Sequence, residues 1–318
     1  MTEPRRAVFF GSGAFAVPSL AALASAPSVE LVAVVTAPPR PAGRRGHVSP
    51  TPVQQAAEHL ACSLLTPASL RDAAVLDRLA AHAPELIVLA DYGRIVPPAI
   101  LELARAGALN LHPSLLPRHR GASPIPAAIL AGDTETGVTL MLMDAGLDSG
   151  PIVAQVVQPL TGTETSPDLE AVLAEAAASL LAASIEAWLT GQLPAHPQPS
   201  EGVTMTRPLT REDGRVDPGL PAAHLERMVR AYQPWPGTWF EAAGARVVVW
   251  AATAVAGPPT APIGTLVDDD GGVAVATSDG RLRLDEVQPA GSRRMAGDAL
   301  VRGRPALLGS RVERPSLG

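Results

Sequence analysis

A chain of 318 residues has room for two domains at roughly 100 to 200 residues each, and its 47% hydrophobic and 18% charged content places it among globular proteins with a full core. Its single cysteine, Cys62, excludes an internal disulfide framework, and no Cys/His cluster has zinc spacing. All 25 basic residues are Arg against 31 acids, a net charge of -6, which excludes indiscriminate nucleic-acid binding and leaves room for a local basic patch.

The opening six residues are too short and polar for the start of a signal peptide. Charges or breakers interrupt every apolar run of about 18 residues, so no membrane span is expected and a cytoplasmic location follows. Residues 7–11 read as a buried parallel strand, 17–25 as a helix with Pro18 tolerated in its first turn, and 30–36 as a second strand. Residues 37–50 are crowded with Pro and Gly and read as a loop. Helices over 51–60 and 69–82 flank a short strand at Leu64 and Leu65, with Cys62 a small core residue at its start. A strand over 85–90, a helix over 100–105, a strand over 107–112, a helix over 124–131 and strands over 137–143 and 152–158 follow. The Ala- and Leu-rich stretch 167–189 is a long amphipathic helix. Strands alternating with helices predict an α/β fold, a doubly wound and mostly parallel sheet.

Composition shifts after Leu189. Residues 190–206 have the Gly, Gln, Pro and Ser content of a linker, which separates a catalytic domain over 1–189 from a second domain over 207–318. In the latter a helix over 222–232 precedes short apolar runs at 246–250, 263–267, 273–277 and 282–287. Strands at such spacing predict a small barrel or sandwich.

Near the start, Gly11-Ser12-Gly13-Ala14-Phe15-Ala16 imitates a dinucleotide fingerprint. That fingerprint needs an acid at the end of the second strand to hold a ribose. Thr36 stands there, and Glu30 is at the wrong end, so the glycines read as a tight turn near the substrate cleft.

The densest chemistry lies between residues 110 and 150. Asn110 and His112 sit two apart at the carboxyl end of a strand, so they point to one side, and in such sheets ligands bind beyond that end. Asp148 follows the next strand through a Gly-containing turn. An amide, an imidazole and a carboxylate together suit a formyl transfer from nitrogen to an amine. Asn110 and His112 supply donors for the oxyanion, each worth on the order of 3 kcal/mol, and His112 or Asp148 moves the proton, directly or through a water. Isolated histidines are more often surface or satisfied core groups, which is the reading for His59, His82, His196 and His224. His119 reads as an exposed loop residue, with contact to a ligand as the alternative.

Ser114-Leu115-Leu116-Pro117, Arg120-Gly121 and Pro124, followed by Asp144-x-Gly146-x-Asp148-x-Gly150, resemble the signature of the folate-dependent formyltransferases. The resemblance implies a catalytic triad of Asn110, His112 and Asp148, 10-formyltetrahydrofolate as the donor, and no metal. It implies a folate pocket along Leu86, Ile87, Leu89, Ala90, Tyr92, Ser114, Leu115, Leu116, Pro117, Met141, Asp144 and Gly146. Three further stretches are similar to members acting on methionyl-tRNA: the basic loop around Arg40, Arg44 and Arg45, the segment from Tyr232 to Trp239, and the segment from Gln288 to Met295. The match runs nearly end to end. It implies a Rossmann-like formyltransferase domain followed by an OB-like β-barrel that binds tRNA, with initiator methionyl-tRNA as partner and a monomer as the working form. Arg40, Arg44, Arg45, Arg207, Arg211, Arg293 and Arg294 are then the tRNA contacts, with Arg215, Arg281 and Arg283 as further phosphate candidates. The chain departs from the family in having Gly13-Ala14 where an acid is usual, and in replacing the loop's lysines by Arg44, Arg45, Gly46 and His47. Formylation of a small amine, release of formate to water, NAD-dependent redox chemistry and a non-catalytic RNA-binding role remain as rival readings.

Overall fold

The computed structural model describes residues 3–42, 47–259 and 261–314. In chain order the first elements are β1 (Arg5–Gly11), α1 (Ala16–Ser25), β2 (Val29–Val35), β3 (Arg40–Ala42), β4 (His47–Ser49), α2 (Pro52–Ala57), β5 (Ser63–Leu65), α3 (Ala73–Ala81), β6 (Leu86–Ala90), α4 (Pro98–Leu101), β7 (Ala108–His112), β8 (Arg120–Gly121) and α5 (Pro124–Ala131). Then come β9 (Glu135–Leu142), β10 (Ile152–Pro159), α6 (Ser166–Leu189), β11 (Met205–Thr206), α7 (Ala222–Ala231), β12 (Thr238–Ala242), β13 (Ala245–Ala256), β14 (Leu266–Asp269), β15 (Gly272–Ala276), β16 (Gly280–Pro289), β17 (Met295–Ala296) and α8 (Gly297–Gly303).

Contacts divide the chain into two compact units. One comprises Met1–Pro124, Glu135–Pro159 and Glu170–Arg207, the other Ile125–Thr134, Leu160–Leu169 and Pro208–Gly318. The first is built on a seven-stranded sheet in the order β10-β9-β7-β6-β1-β2-β5. Its strands from β7 to β5 are parallel, while β9 runs antiparallel to β7 and β10 to β9. The all-apolar run of β6 explains its central place, since every residue in it is buried. Phe9, Phe10, Ile87, Leu109 and Leu111 are also enclosed, each contributing about 2 kcal/mol of hydrophobic burial. The order reverses between β1 and β6, and that switch point opens the crevice beyond their carboxyl ends.

Several expected elements shift, each for a local reason. Helix α3 starts at Ala73, because the Asp72 carboxylate caps Ala74 N at 3.0 Å while Ser69 binds only Arg71 N. Helix α4 begins at Pro98, a residue suited to a first turn, and ends before residue 102. The stretch 37–50, read as a loop, contains the antiparallel pair β3 and β4. Residues 190–206, read as a linker, are tied down: His196 bridges Ile152, and β11 pairs with β8.

By length and composition α6 is able to cross a bilayer. Its buried residues Leu169, Leu173, Ala177, Leu181 and Ile185 instead recur every fourth position, a core-facing stripe, and Trp188 Nε1 donates to the Ala106 carbonyl at 2.9 Å.

In the second unit β12-β13-β16-β15-β14 form an antiparallel sheet, with β17 beside β16. Strand β13 is longer than the sequence suggests because it continues through register shifts around Ala251. The C-terminal segment joins the two edges. Val312 N donates to the Gly264 carbonyl and Glu313 N to that of Glu241, both at 2.8 Å, so the sheet curls into a barrel-like body. Helix α7 packs on β13. Arg227 Nε reaches the Leu130 carbonyl at 3.0 Å and Arg230 Nη1 that of Glu164 at 2.9 Å.

Candidate active site

Strand β7 delivers Asn110 and His112 to the carboxyl rim. Asn110 lies between Leu89 of β6 and Met141 of β9, and His112 is level with Thr139. His112 is 4% exposed. Its Nε2 is 3.0 Å from the His119 carbonyl. A carbonyl only accepts, so Nε2 carries the hydrogen. Nδ1 then faces Asp148, with Oδ2 at 3.7 Å, longer than a hydrogen bond but close enough for the carboxylate charge to act on the ring. Burial holds the imidazole below its usual range; the Asp148 charge and the His119 carbonyl pull the other way without overcoming it. The ring is therefore neutral at pH 7 and presents a lone pair toward the carboxylate.

Asp148 sits at φ 49°, in the left-handed region. Its Oδ2 accepts from Gly121 N at 2.8 Å. The turn before it is tied by Asp144, whose Oδ1 accepts from Gly146 N at 2.9 Å and Ser149 Oγ at 3.0 Å. Gly150 is required because a Cβ there would overlap the Leu142 carbonyl oxygen. The loop after β7 is fastened as firmly. Thr139 Oγ1 donates to the Ser114 carbonyl at 2.7 Å and accepts from Leu116 N at 3.1 Å, and Ser114 Oγ donates to the Arg118 carbonyl at 2.7 Å.

His119 overturns its expected role. It is buried, not an exposed loop residue. At φ 56° it turns its carbonyl onto His112, while its own N–H binds Thr204 Oγ1 at 2.8 Å. A main-chain acceptor leaves no side-chain signature, so nothing in the sequence pointed to it.

The other predicted positions divide. Leu86 and Ile87 lie three to four residues before the carboxyl end of β6 and are buried in the sheet. Leu89 and Ala90 end the same buried strand, Ala90 at the rim. The Tyr92 ring meets Phe10 edge-on at 5.3 Å. Ser114 is enclosed with its hydroxyl already bonded. Leu115 packs over Gly137, Leu116 is buried, Pro117 is half-buried after a cis bond, and Met141 lies opposite Asn110. Asp144 and Gly146 remain exposed on the turn.

Of the arginines, Arg44 and Arg45 lie outside the described residues, and Arg40 belongs to β3. Arg207, Arg211, Arg293 and Arg294 are exposed. Arg294 stacks 3.4 Å from the centre of the Trp250 ring, Arg246 3.5 Å from that of Trp239, and Arg215 5.3 Å from the latter. Arg281 and Arg283 are already paired with Asp269 at 2.6 Å and Asp285 at 2.9 Å, which weakens their candidacy as phosphate contacts.

The glycine turn after β1 is occupied by the protein itself. Ser12 N and Gly13 N both donate to the Asp91 carbonyl, at 2.9 and 3.3 Å. The Asp91 carboxylate fills the space a Cβ on Gly13 would take. A pyrophosphate would meet spent donors and a negative charge, which argues against a dinucleotide there. Thr36, at the ribose position, is buried and bonded to Thr51. Partial desolvation of the Asp91 carboxylate where it packs over Gly13, then the like charge of Glu170, push this group up to about 6, although the residue as a whole stays exposed. Between the ordinary value of 3.8 and about 6 the folded chain holds more protons than the unfolded one, so stability falls as pH rises through that window. Asp91→Asn should therefore stabilise at pH 7.5. The gain is about 1 kcal/mol or less, because the residue remains open to solvent and its charge is screened. Denaturant unfolding at pH 7.5 and 4.5 checks this: the gain should shrink at the lower pH, and equal gains would contradict it.

Among the described residues no group of three His, Cys, Asp or Glu is arranged to hold a metal. The fold resembles an N-formyltransferase of Helicobacter canadensis solved with folinic acid and dTDP-3-aminofucose, at TM-score 0.64 and 15% identity, over 89% of this chain and 99% of that one. Residues 5–185 match the formyl transferase family and residues 208–305 the formyl transferase C-terminal domain. A methionyl-tRNA formyltransferase of Roseiflexus sp. (strain RS-1) is 46% identical over 91% of this chain and 90% of its own length. Another from Halorhodospira halophila is 43% identical over 97% and 99%. With matches of that extent across both parts of the chain, the protein belongs to the methionyl-tRNA formyltransferase family.

Proposed function

We propose that this enzyme moves the formyl group of 10-formyltetrahydrofolate to the α-amino group of initiator methionyl-tRNA, giving N-formylmethionyl-tRNA for translation initiation. The observation that carries the mechanism is the convergence of His112 Nδ1 and Asp148 Oδ2 at 3.7 Å beside Asn110, at the end of one strand. The methionyl amine attacks the formyl carbon. The Asn110 amide donates to the formyl oxygen as negative charge develops on it. The neutral His112 ring offers Nδ1 to the proton leaving the amine, and Asp148 stabilises the imidazolium so formed. That proton then passes to the folate nitrogen as it departs. A ring that must accept first is a poor donor to the oxyanion, so in this reading the oxyanion falls chiefly to Asn110. Leu115, Pro117, Met141 and Tyr92 offer the apolar side of a pterin site at the same rim, and Asp144 and Gly146 the polar turn beside it.

The tRNA is held by the basic loop carrying Arg40, Arg44 and Arg45 and by the C-terminal unit, where Arg207, Arg211, Arg293 and Arg294 supply positive charge. Two Arg–Trp stacks on the same sheet and the exposed Trp235 support an RNA-facing surface, because phosphate-binding cations and aromatic rings commonly occur together there. In the same reading the enzyme works as a cytoplasmic monomer and binds no membrane.

The test is to incubate the protein with formyl-labelled folate and methionyl-tRNA. Label is expected on the initiator species, little on elongator methionyl-tRNA, and none as free formate without tRNA. Formate release in the absence of tRNA, or labelling of a sugar amine or glycinamide ribotide in preference to tRNA, would overturn the proposal.

A further inference from the structure

We propose that Gln198 is a positioning residue for this chemistry, holding the Asp148 turn so that its carboxylate meets His112. Gln198 lies in the stretch whose composition is that of a linker, between Pro197 and Pro199, which keep the backbone extended. Its side-chain amide is fully used. Nε2 donates to the carbonyls of Asp148 and Gly150, both at 2.8 Å. Oε1 accepts from Arg120 Nε at 3.0 Å and Nη2 at 2.7 Å.

These bonds close a ring. Arg120 is followed by Gly121, whose N–H holds Asp148 Oδ2 at 2.8 Å. Gln198 thus clamps both stretches that set the carboxylate, one through the main chain of Asp148 and one through Arg120. The same strap holds the imidazole's partner. Thr204 accepts from His119 N through its hydroxyl at 2.8 Å and from Arg120 N through its carbonyl at 3.0 Å, and the His119 carbonyl takes the His112 Nε2 hydrogen. Without Gln198 the Asp148 turn retains, among the described residues, its internal ties to Asp144, the bond to Gly121, the His112 contact and the main-chain bonds at its ends. Asp148 is a left-handed residue, a conformation that persists only where the surroundings over-determine it.

The inference rests on the catalytic role of Asp148, so the experiment separates the two. Formyl transfer to methionyl-tRNA is measured for Gln198→Glu, Gln198→Ala, Asp148→Ala and the double variant Gln198→Ala/Asp148→Ala. Gln198→Glu keeps an acceptor for Arg120 and loses both donors, so it tests the clamp in a chain that retains its strap. Both Gln198 variants should lower kcat by about 10- to 100-fold and leave KM for folate and tRNA within about threefold, since the Gln198 amide spends its bonds on protein groups. The double variant should be no slower than Asp148→Ala. Thermal unfolding of Gln198→Glu should stay close to that of the parent. If Asp148→Ala turns over normally, the catalytic reading fails and the inference falls with it. If Asp148→Ala is slow but Gln198→Glu is as fast as the parent, the inference alone fails. It fails also if the two losses multiply in the double variant.

Discussion

Asp148→Ala and His112→Ala should each lower kcat by roughly 10²- to 10⁴-fold, the range for loss of a positioned proton-transfer group, with the fold retained. The two side chains act on one proton, so their losses should not multiply; the double variant should be about as slow as the slower single one. Asp148→Asn is the sharper version, because it keeps size and hydrogen-bonding capacity and removes only the charge that stabilises the protonated ring. The pH dependence follows from the direction of the His112 shift. Burial keeps the ring neutral below the ordinary value of 6.5, so turnover should stay level as pH falls through 6.5 and decline only beyond it. Stability carries the same signature. Below 6.5 and above the folded-state value the unfolded chain binds the extra proton, so His112 makes stability rise with pH across that window. His112→Ala should abolish this contribution. Rates within a few-fold of the parent for either single alanine variant, in a protein shown to be folded, would end the assignment.

The parts that were legible in the sequence are those where side chains carry the information. The apolar run of β6, the four-residue spacing in α6 and the short strands after Gly244 report burial directly, and they set the two-part architecture. Asn110, His112 and Asp148 stood out because glycines and prolines fix the backbone around them. What stayed hidden works through the main chain or across long separations. His119 contributes a carbonyl, which any residue has. Gln198 is 50 residues from Asp148 in a stretch whose composition reads as flexible, and only the three-dimensional pairing of β11 with β8 reveals it as a strap. Asp91 belongs to no motif, yet it occupies the turn that imitates a nucleotide site. At α3 two capping residues compete, Ser69 and Asp72, and the sequence alone does not rank them.

Gly121→Ala should be the most damaging single-methyl change in the catalytic unit. Gly121 adopts φ 107°, which side-chain-bearing residues avoid at a cost on the order of 1–3 kcal/mol. The added Cβ would also overlap the Thr206 carbonyl oxygen, and backbone does not move aside cheaply. Relief requires β8 and β11 to separate. That endangers the bonds from Thr206 Oγ1 to the Arg120 carbonyl at 3.0 Å and from Ser123 N to Thr206 Oγ1 at 3.1 Å, besides the Gly121 N–H that holds Asp148. A stability loss of about 3–5 kcal/mol is expected, and kcat should fall with it because the carboxylate loses its main-chain anchor. Gly162→Ala supplies the comparison. Gly162 has φ 85° but nothing within 4 Å of the place its methyl group would take, so that variant should lose only the conformational part, about 1–2 kcal/mol, and keep its kcat. Denaturant unfolding and steady-state formyl transfer on the pair read the difference. Equal stabilities for the two variants, together with undiminished turnover in Gly121→Ala, would show that the β8–β11 pair neither resists the methyl group nor places Asp148.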